Sequence, residues 1–596
     1  MRAVVGIDLG TTHTAVATLD LDAPGALPLV SSTPQLVARG QLEERALLPS
    51  FVYFAHEGEG ALALPWDESR RYCVGELARA RAVEAPARVI SSAKSWLCHP
   101  GVDRRGPLLP SAAADDVEKI SPVEASFRLL DHIVEAWQTT HPEALSSHPV
   151  ILTVPASFDA AARDLTVEAA YAAGLEDVTL LEEPQAALYA WIATQGERFR
   201  KHLSPGDVVL VVDIGGGTTD FSAIACREQG GALTLERIAV GDHILLGGDN
   251  MDLALAHLLA GKLSAQGKTL DRFQLASLAH ACRAAKEQVL SPAAPERVAI
   301  AIAGRGSALL GNTLRTELTR AEVEASLLDG FFPAVARDAR PAARARVGLT
   351  QLGLPYAADP AITKHLAAFL TRQSDALADG RPLLRPTAVL FNGGVVKSTV
   401  VRERLLSALN GWLVADGAPP VRVLPGEDPE LAVARGAAFY GRVQGGHALK
   451  IVSATARAYY VGIESPAPAV PGVEPPIAAF CVAPFGMDEG TAAELPPHEL
   501  GVIVGEPVQF RFFGSSVRRS DAAGALLEQW PEGELEELCP IEVTLPAEGR
   551  AEGDVVPVRL HAAITPVGTL LLEALPLEPL SDAERWKLEL GVRSAS

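Results

Sequence analysis

The sequence predicts a duplicated α/β region followed by an antiparallel β domain, and three observations carry that expectation. The first is a strand–loop–strand sentence written twice. It reads Val4-Val5-Gly6-Ile7-Asp8-Leu9-Gly10-Thr11-Thr12-His13-Thr14-Ala15-Val16, and again Val211-Val212-Asp213-Ile214-Gly215-Gly216-Gly217-Thr218-Thr219-Asp220-Phe221-Ser222. Each copy is a β-branched run, an Asp, glycines, Thr-Thr and a second apolar run, the pattern of a buried strand turning tightly into its neighbour. The second is the alternation of strand-like apolar runs with Ala-rich helical runs from Met1 to about Gly445, an α/β pattern. The third is a change of period beyond Gly445-Gly446. Runs such as Tyr459-Tyr460-Val461-Gly462-Ile463, Val508-Gln509-Phe510-Arg511-Phe512-Phe513 and Val556-Pro557-Val558-Arg559-Leu560 alternate and are separated by Pro and Gly, as in antiparallel strands with one polar face.

The elements follow in order. Apolar positions at helical spacing predict a helix over Val123 to Thr139, and Pro149 to Pro155 reads as a short buried strand closed by a proline. A helix from Ala160 to Ala173 stops at Gly174. Val178-Thr179-Leu180-Leu181 is a strand, and the turn Glu182-Glu183-Pro184 opens a helix from Gln185 to Ala193. A further helix covers Leu275 to Leu290, and the Ala-, Pro- and Arg-rich segment from Ala334 to Pro386 reads as helical with a surface insertion. The expected organisation is an α/β region over 1–445, a linker over 446–455, a β domain over 456–575 and a tail over 576–596 with room for one short helix. A chain of 596 residues is too long for one core.

Composition bounds the function. With 48% apolar and 21% charged residues the chain reads as a soluble globular protein. A net charge of −21 argues against a nucleic-acid binder. No apolar stretch approaches the ~20 residues that span a bilayer, and the N-terminus enters a strand with no signal-peptide layout. The six cysteines are scattered without metal-ligand spacing, so reduced thiols in the cytoplasm are expected and zinc is not.

Chemistry concentrates in the repeated loops. Glycine lets backbone N–H groups approach an anion closely, and the Thr hydroxyls add donors. An Asp at the strand end can hold a hydrated Mg²⁺. Two copies suggest a nucleotide clamped between two halves.

With both loops in view, the chain resembles the seventy-kilodalton heat-shock family, the DnaK-type chaperones, within the actin and sugar-kinase ATPase superfamily. Five motifs agree in order: Asp8 to Thr12, Leu180 to Ala187, Asp213 to Asp220, Val389-Leu390-Phe391-Asn392-Gly393-Gly394, and Asp428 to Ala438. The resemblance implies a two-lobed actin-like (ribonuclease-H-like) ATPase domain and a β-sandwich that binds polypeptide. It implies ATP and Mg²⁺ as cofactors, with Gly10, Thr11, Thr12, Gly215, Gly216, Gly217 and Thr218 gripping the phosphates and Asp8 and Asp213 holding the metal through water. Gly393 and Gly394 would approach the adenosine. Glu183 either orients water or a metal ligand, or caps the helix at Pro184. Asp220 is the candidate for positioning the attacking water, and Thr218 stands at the γ-phosphate. Lys286 matches an adenine-contacting lysine or is a solvated helix residue. Pro155 and Arg163, an arginine on the exposed side, match a relay between nucleotide and substrate domains, or are an ordinary strand-ending Pro and a surface Arg.

Four departures from the family pattern stand out. Arg79 occupies the place expected for a lysine that reaches the γ-phosphate, so either hydrolysis is slower or the aligned residue lies elsewhere. Arg283 and Glu287 reverse the expected signs. The junction at Gly445-Gly446 lacks the acidic-leucine run, and the helical lid is missing. The favoured function is therefore an ATP-dependent, lidless chaperone with weak ATPase activity, whose partners are unfolded polypeptide and J-domain and nucleotide-exchange cochaperones. The alternatives are a nucleotide-gated module with little hydrolysis and one dedicated partner, and a superfamily metabolic kinase, for which the β domain has no use.

Overall fold

The computed structural model describes residues 3–591 apart from short internal stretches, the longest being 305–312, 344–352, 375–380, 446–450 and 465–475. The chain divides into two compact units, Met1–Leu235 with Ala239–Lys450, and Glu236–Ile238 with Ile451–Ser596.

The first unit repeats one plan. In one sheet the neighbours are Val178–Glu182, Val150–Val154, Ala3–Leu9 and His13–Asp20; in the other they are Arg422–Val423, Ala388–Asn392, Val208–Ile214 and Thr219–Gln229. Each hairpin is antiparallel, and the two strands beyond it run parallel to its first strand. Leu9 faces Thr14 and Ile214 faces Thr219, so the two Gly/Thr loops leave their sheets at equivalent points. All seven residues of Val208–Ile214 are buried, which explains their unbroken apolar run: helices cover both faces of a parallel-type sheet. Helix Ala432–Gln444 packs on Ala3–Leu9 and on helix Glu183–Gln195. A Cβ at Gly436 would lie 1.7 Å from the Ala186 carbonyl oxygen, so only glycine permits that approach.

Several helices carry their own start signals. The Ser121 hydroxyl accepts from the Glu124 N–H before Pro122–Thr140, and Asp159 accepts from the Ala162 N–H before Ala160–Ala172; both are N-caps. The segment from Ala334 to Pro386 is less helical than expected. Among its described residues the α-helix is Ile362–Arg372. Before it the Asp359 carboxylate accepts from the Ala342 and Ala361 N–H groups, fixing an irregular connection.

The second unit is antiparallel throughout its described pairings. One sheet orders Leu526–Leu527, Ile477–Ala483, Ala458–Glu464, Phe512–Ser515 and Glu536–Glu537. The other orders Thr491–Ala493, Val555–Ile564, Thr569–Pro576 and Trp586–Gly591, with Leu500–Ile503 also on Val555–Ile564. Tyr459, Val461, Phe480 and Val482 of the first share one apolar cluster with Val556, Val558, Leu570, Leu572 and Trp586 of the second, which makes a sandwich.

Four expectations for this region need correction. The run 508–513 is two strands, because Pro507–Phe510 pairs with Ile541–Thr544 whereas Phe512–Ser515 joins the sheet of Ala458–Glu464. The outer face of that sheet is not polar: Tyr460, Cys481 and Phe513 pack under Trp530 and Leu535. Residues Trp586–Gly591 form a strand rather than a helix, because Trp586 and Leu588 alternate inward with period two. Of the expected linker, Ile451–Ser453 is a strand with Ile451 buried, while 446–450 lie outside the described residues.

Candidate functional site

The two Gly/Thr loops of the first unit open onto one cavity of about 770 Å³. Asp8, Gly10, Thr11, Thr12, Arg79, Pro155, Glu183, Asp213, Gly215, Gly216, Thr218, Lys286, Gly393 and Gly394 all line it. The sequence reading drew these residues from four of the five motifs, with Arg79, Pro155 and Lys286 from outside them. Gly217, Asp220 and Arg163 are not on its wall.

The loops fit into each other. A Cβ at Gly216 would lie 1.7 Å from the Thr12 Oγ1, and one at Gly217 would lie 2.6 Å from the Thr11 Cγ2. The second loop is glycine-built because the threonines of the first occupy its side-chain space. Gly393 has φ +88°, and a Cβ there would meet the Ile214 carbonyl oxygen at 2.4 Å. That position requires glycine on both counts.

The floor of the cavity is acidic. The Thr153 Oγ1 donates to the Asp8 Oδ1 at 3.1 Å, and the Asn392 Nδ2 donates to the Asp213 Oδ2 at 2.7 Å. Burial pushes the Asp8 carboxyl up to about 7, with the Glu183 charge adding to it and Lys94 opposing. Burial raises Asp213 well above the carboxylate range, again with Glu183 contributing. Lys94 is ion-paired to Glu183. Burial pulls its pKa down, but the Glu183 and Asp8 charges outweigh that and hold it above its usual value. Glu183 is thus the first residue of helix Glu183–Gln195, after the N-cap Glu182, with its carboxylate engaged by Lys94. Glu182, the residue before it, takes the Arg163 guanidinium at 3.2 Å.

Two sequence assignments change. Arg79 donates to Glu76 at 2.8 Å and lies 4.0 Å from Glu287, on the outer wall. The cation beside Asp8 and Glu183 is Lys94. Sequence reading missed it, although Lys94 is the first lysine in the chain and sits in an otherwise uncharged run, Val89 to Leu97. Arg163 is 2% exposed rather than on the surface. Its guanidinium donates to the Ala156 and Phe158 carbonyls and to Glu182, holding the turn that follows Pro155.

The outer part of the cavity is walled by paired charges. Lys286 meets Asp252 at 2.6 Å, Arg283 donates to Asp252 at 2.8 Å and pairs with Asp249, and Lys397 meets Asp428 at 3.1 Å. Arg283 thus works with two aspartates, which accounts for its sign beside Lys286.

The donor set fits a nucleotide phosphate with a divalent cation. Three enclosed carboxylates face one lysine, leaving negative charge to be balanced. The Thr12 Oγ1, Ser95 Oγ and Asn392 Oδ1 are buried without a hydrogen-bond partner around the same floor, and such atoms call for a ligand or water.

A family profile described as Hsp70 protein matches residues 4–341, more than half of the chain. The chain belongs to the Hsp70 family. Its first unit is accordingly the actin-like α/β fold, and its second is the β domain that follows it. This Hsp70-family chain is 34% identical over 267 residues to "Chaperone protein HscA" of Photorhabdus laumondii, covering 43% of the chain and 37% of that protein. It is 33% identical over 318 residues to "Chaperone protein HscA" of Pectobacterium carotovorum, covering 51% of the chain and 44% of that protein. The matched part of this Hsp70 spans less than half the length of those curated relatives. Among its described residues no helix is long and apolar enough to cross a membrane.

Proposed function

We propose that this chain is an ATP-dependent chaperone of the Hsp70 type, binding and slowly hydrolysing ATP in the first unit and holding extended polypeptide on the β-sandwich of the second. The observation that carries the reading is the acidic floor with Lys94 between two interlocked glycine loops. In phosphoryl transfer, catalysis is mostly positioning and charge stabilisation. The N–H groups of Gly10 to Thr12 and Gly215 to Thr218 grip the phosphates. Asp8 and Asp213 would hold a hydrated Mg²⁺, which would supply charge neutralisation at the phosphates. Lys94 brings a fixed positive charge to the terminal phosphate, Thr218 adds a hydroxyl donor, and Glu183 and Asp220 order the attacking water. Lys286, Gly393 and Gly394 receive the nucleoside. Pro155 reports the state of the phosphate, and Arg163 holds the turn through which that state is passed on.

Lys94 beside Asp8 and Glu183 weakens one of the three grounds for a non-hydrolysing reading, the arginine at 79; the altered junction and the missing lid are the other two. An open sheet edge accepts a peptide through main-chain hydrogen bonds, so the partners are unfolded polypeptide, with J-domain and exchange cochaperones acting on the nucleotide unit. The free thiols of Cys73, Cys98, Cys226, Cys282 and Cys481 support a reducing compartment, the cytoplasm.

The test uses the full chain. ATP with Mg²⁺ at a hundred times its Kd should add about 2.7 kcal/mol of stability, read as a rise in Tm, and a labelled apolar peptide should bind more weakly with ATP than with ADP. An unmoved Tm removes the site. Turnover with no peptide binding in either state removes the chaperone reading and leaves a dedicated-partner module.

A further inference from the structure

Asp220 does not stand alone. It faces Asp213 directly across the second hairpin, and residues opposite each other on an antiparallel pair project from the same face. Its carboxylate is therefore on the same side of the sheet as that of Asp213, and it is 6% exposed. There the Ser157 Oγ donates to the Asp220 Oδ1 at 2.5 Å. The same hydroxyl lies 2.6 Å from the His243 Nδ1, and His243 Nδ1 lies 3.9 Å from the Asp220 Oδ1. Ser157 belongs to the turn that begins at Pro155, a cavity-lining residue, and the Phe158 ring packs edge-on against His243 at 5.8 Å.

We propose that Ser157 and His243 are positioning residues for Asp220: the imidazolium donates to the Ser157 oxygen, the Ser157 hydroxyl donates to the Asp220 Oδ1, and the Oδ2 is left to act on the attacking water. This rests on the proposed role of Asp220 and deepens it. A hydroxyl can donate once and accept at the same time, so the chain from His243 to Asp220 has a single direction when His243 is charged. Burial opposes that charge, but Cys98 and Asp220, which face His243 from separate elements, outweigh it and hold the imidazole well above its usual range. Lys94, the cation on the cavity floor, is engaged by Glu183 instead.

The test is steady-state and single-turnover ATP hydrolysis by the full chain and by S157A, S157T and H243N. S157A should lower kcat about tenfold, the scale of one lost positioning hydrogen bond, with KM for ATP and the ATP-induced rise in Tm unchanged. S157T, which keeps the hydroxyl, should restore kcat to within about twofold. H243N should lower kcat less than S157A does, because the hydroxyl that faces Asp220 is kept, again with KM for ATP unchanged. Equal kcat in S157A and wild type, or equal loss in S157A and S157T, overturns the proposal. If H243N does not fold, the serine pair alone decides. A wild-type chain that binds ATP without turning it over overturns the role of Asp220 and the proposal with it, whereas wild-type turnover with an unaffected S157A overturns the proposal only.

Discussion

The two loop hairpins of the first unit share a sheet plan and a register but divide the work unequally. The loop after Asp8 carries side chains, Thr11 and Thr12, and Lys94 stands beside its aspartate. The loop after Asp213 carries three glycines and is backed by Asn392. The asymmetry has a steric cause. Thr12 fills the space a Cβ would need at Gly216, 1.7 Å away, and Ser95 Oγ stands 2.9 Å from the same point at Gly217. A duplicated fold that closes two copies on one ligand cannot keep both loops bulky. One copy becomes the lining and the other the donor surface. The cation follows the bulky copy. Asp8 shares its surroundings with Lys94, whereas the carboxyl of Asp213 is raised by burial and by Glu183, with the Asn392 amide opposing them.

The largest effect should come from removing that cation. Lys94→Ala leaves Glu183 and Asp8 without their counter-charge and takes a positioned positive group from the phosphate end. Loss of one such group costs on the order of 10²–10³ in rate. Single-turnover kcat should fall by that factor while ATP still shifts Tm. Asn392→Ala, the matching change on the second hairpin, should cost less, because it removes a neutral donor and no charge. Equal losses would break the asymmetry.

A smaller effect tests the steric half of the comparison. Gly216→Ala forces a methyl onto Thr12, and overpacking of this kind costs about 1–3 kcal/mol. Gly215→Ala, one residue earlier, meets only the Thr218 carbonyl oxygen at 3.7 Å, an ordinary contact. Thermal denaturation without nucleotide should therefore separate the two variants, with Gly216→Ala well below and Gly215→Ala close to the parent. Similar melting would mean that Thr12 can turn away and that the glycine run has no packing role.

What was legible in the sequence divides along the same line. Both hairpins could be read because their signals are local: a β-branched run, an Asp and glycines within about ten residues. Lys94 could not, because its meaning lies in its approach to Asp8 and Glu183, which parallel pairing of Ala3–Leu9, Val150–Val154 and Val178–Glu182 brings to one end of a sheet. Arg163 looked like a surface residue for the same reason. Its partners, Glu182 and the Ala156 and Phe158 carbonyls, are set by the turn after Pro155 and leave no periodic trace. In the β unit, alternation revealed strands but not sheet membership, so the run 508–513 concealed the change of partner at Arg511. The strand Trp586–Gly591 was missed because three alternating apolar positions are too few to outweigh a short terminal length.

The smallest effect is expected at Arg79, and it sets the limit of the comparison. Arg79 borders the cavity from helix Glu76–Glu84 and reaches Glu287 on helix Arg272–Leu290 at 4.0 Å. Its stronger partner is Glu76, one turn earlier on its own helix. Glu287 is half-exposed, and pairs of that kind contribute roughly 0–1 kcal/mol after screening. Arg79→Ala should leave turnover within about twofold and speed nucleotide release by no more than about fivefold, the factor that 1 kcal/mol allows. The release effect should shrink as salt is raised, because exposed pairs are screened. Stopped-flow release of a fluorescent ATP analogue, beside steady-state turnover, measures both. A collapse of turnover in Arg79→Ala with normal nucleotide affinity would return the phosphate-end cation to position 79 and leave Lys94 as a buried counter-ion of Glu183.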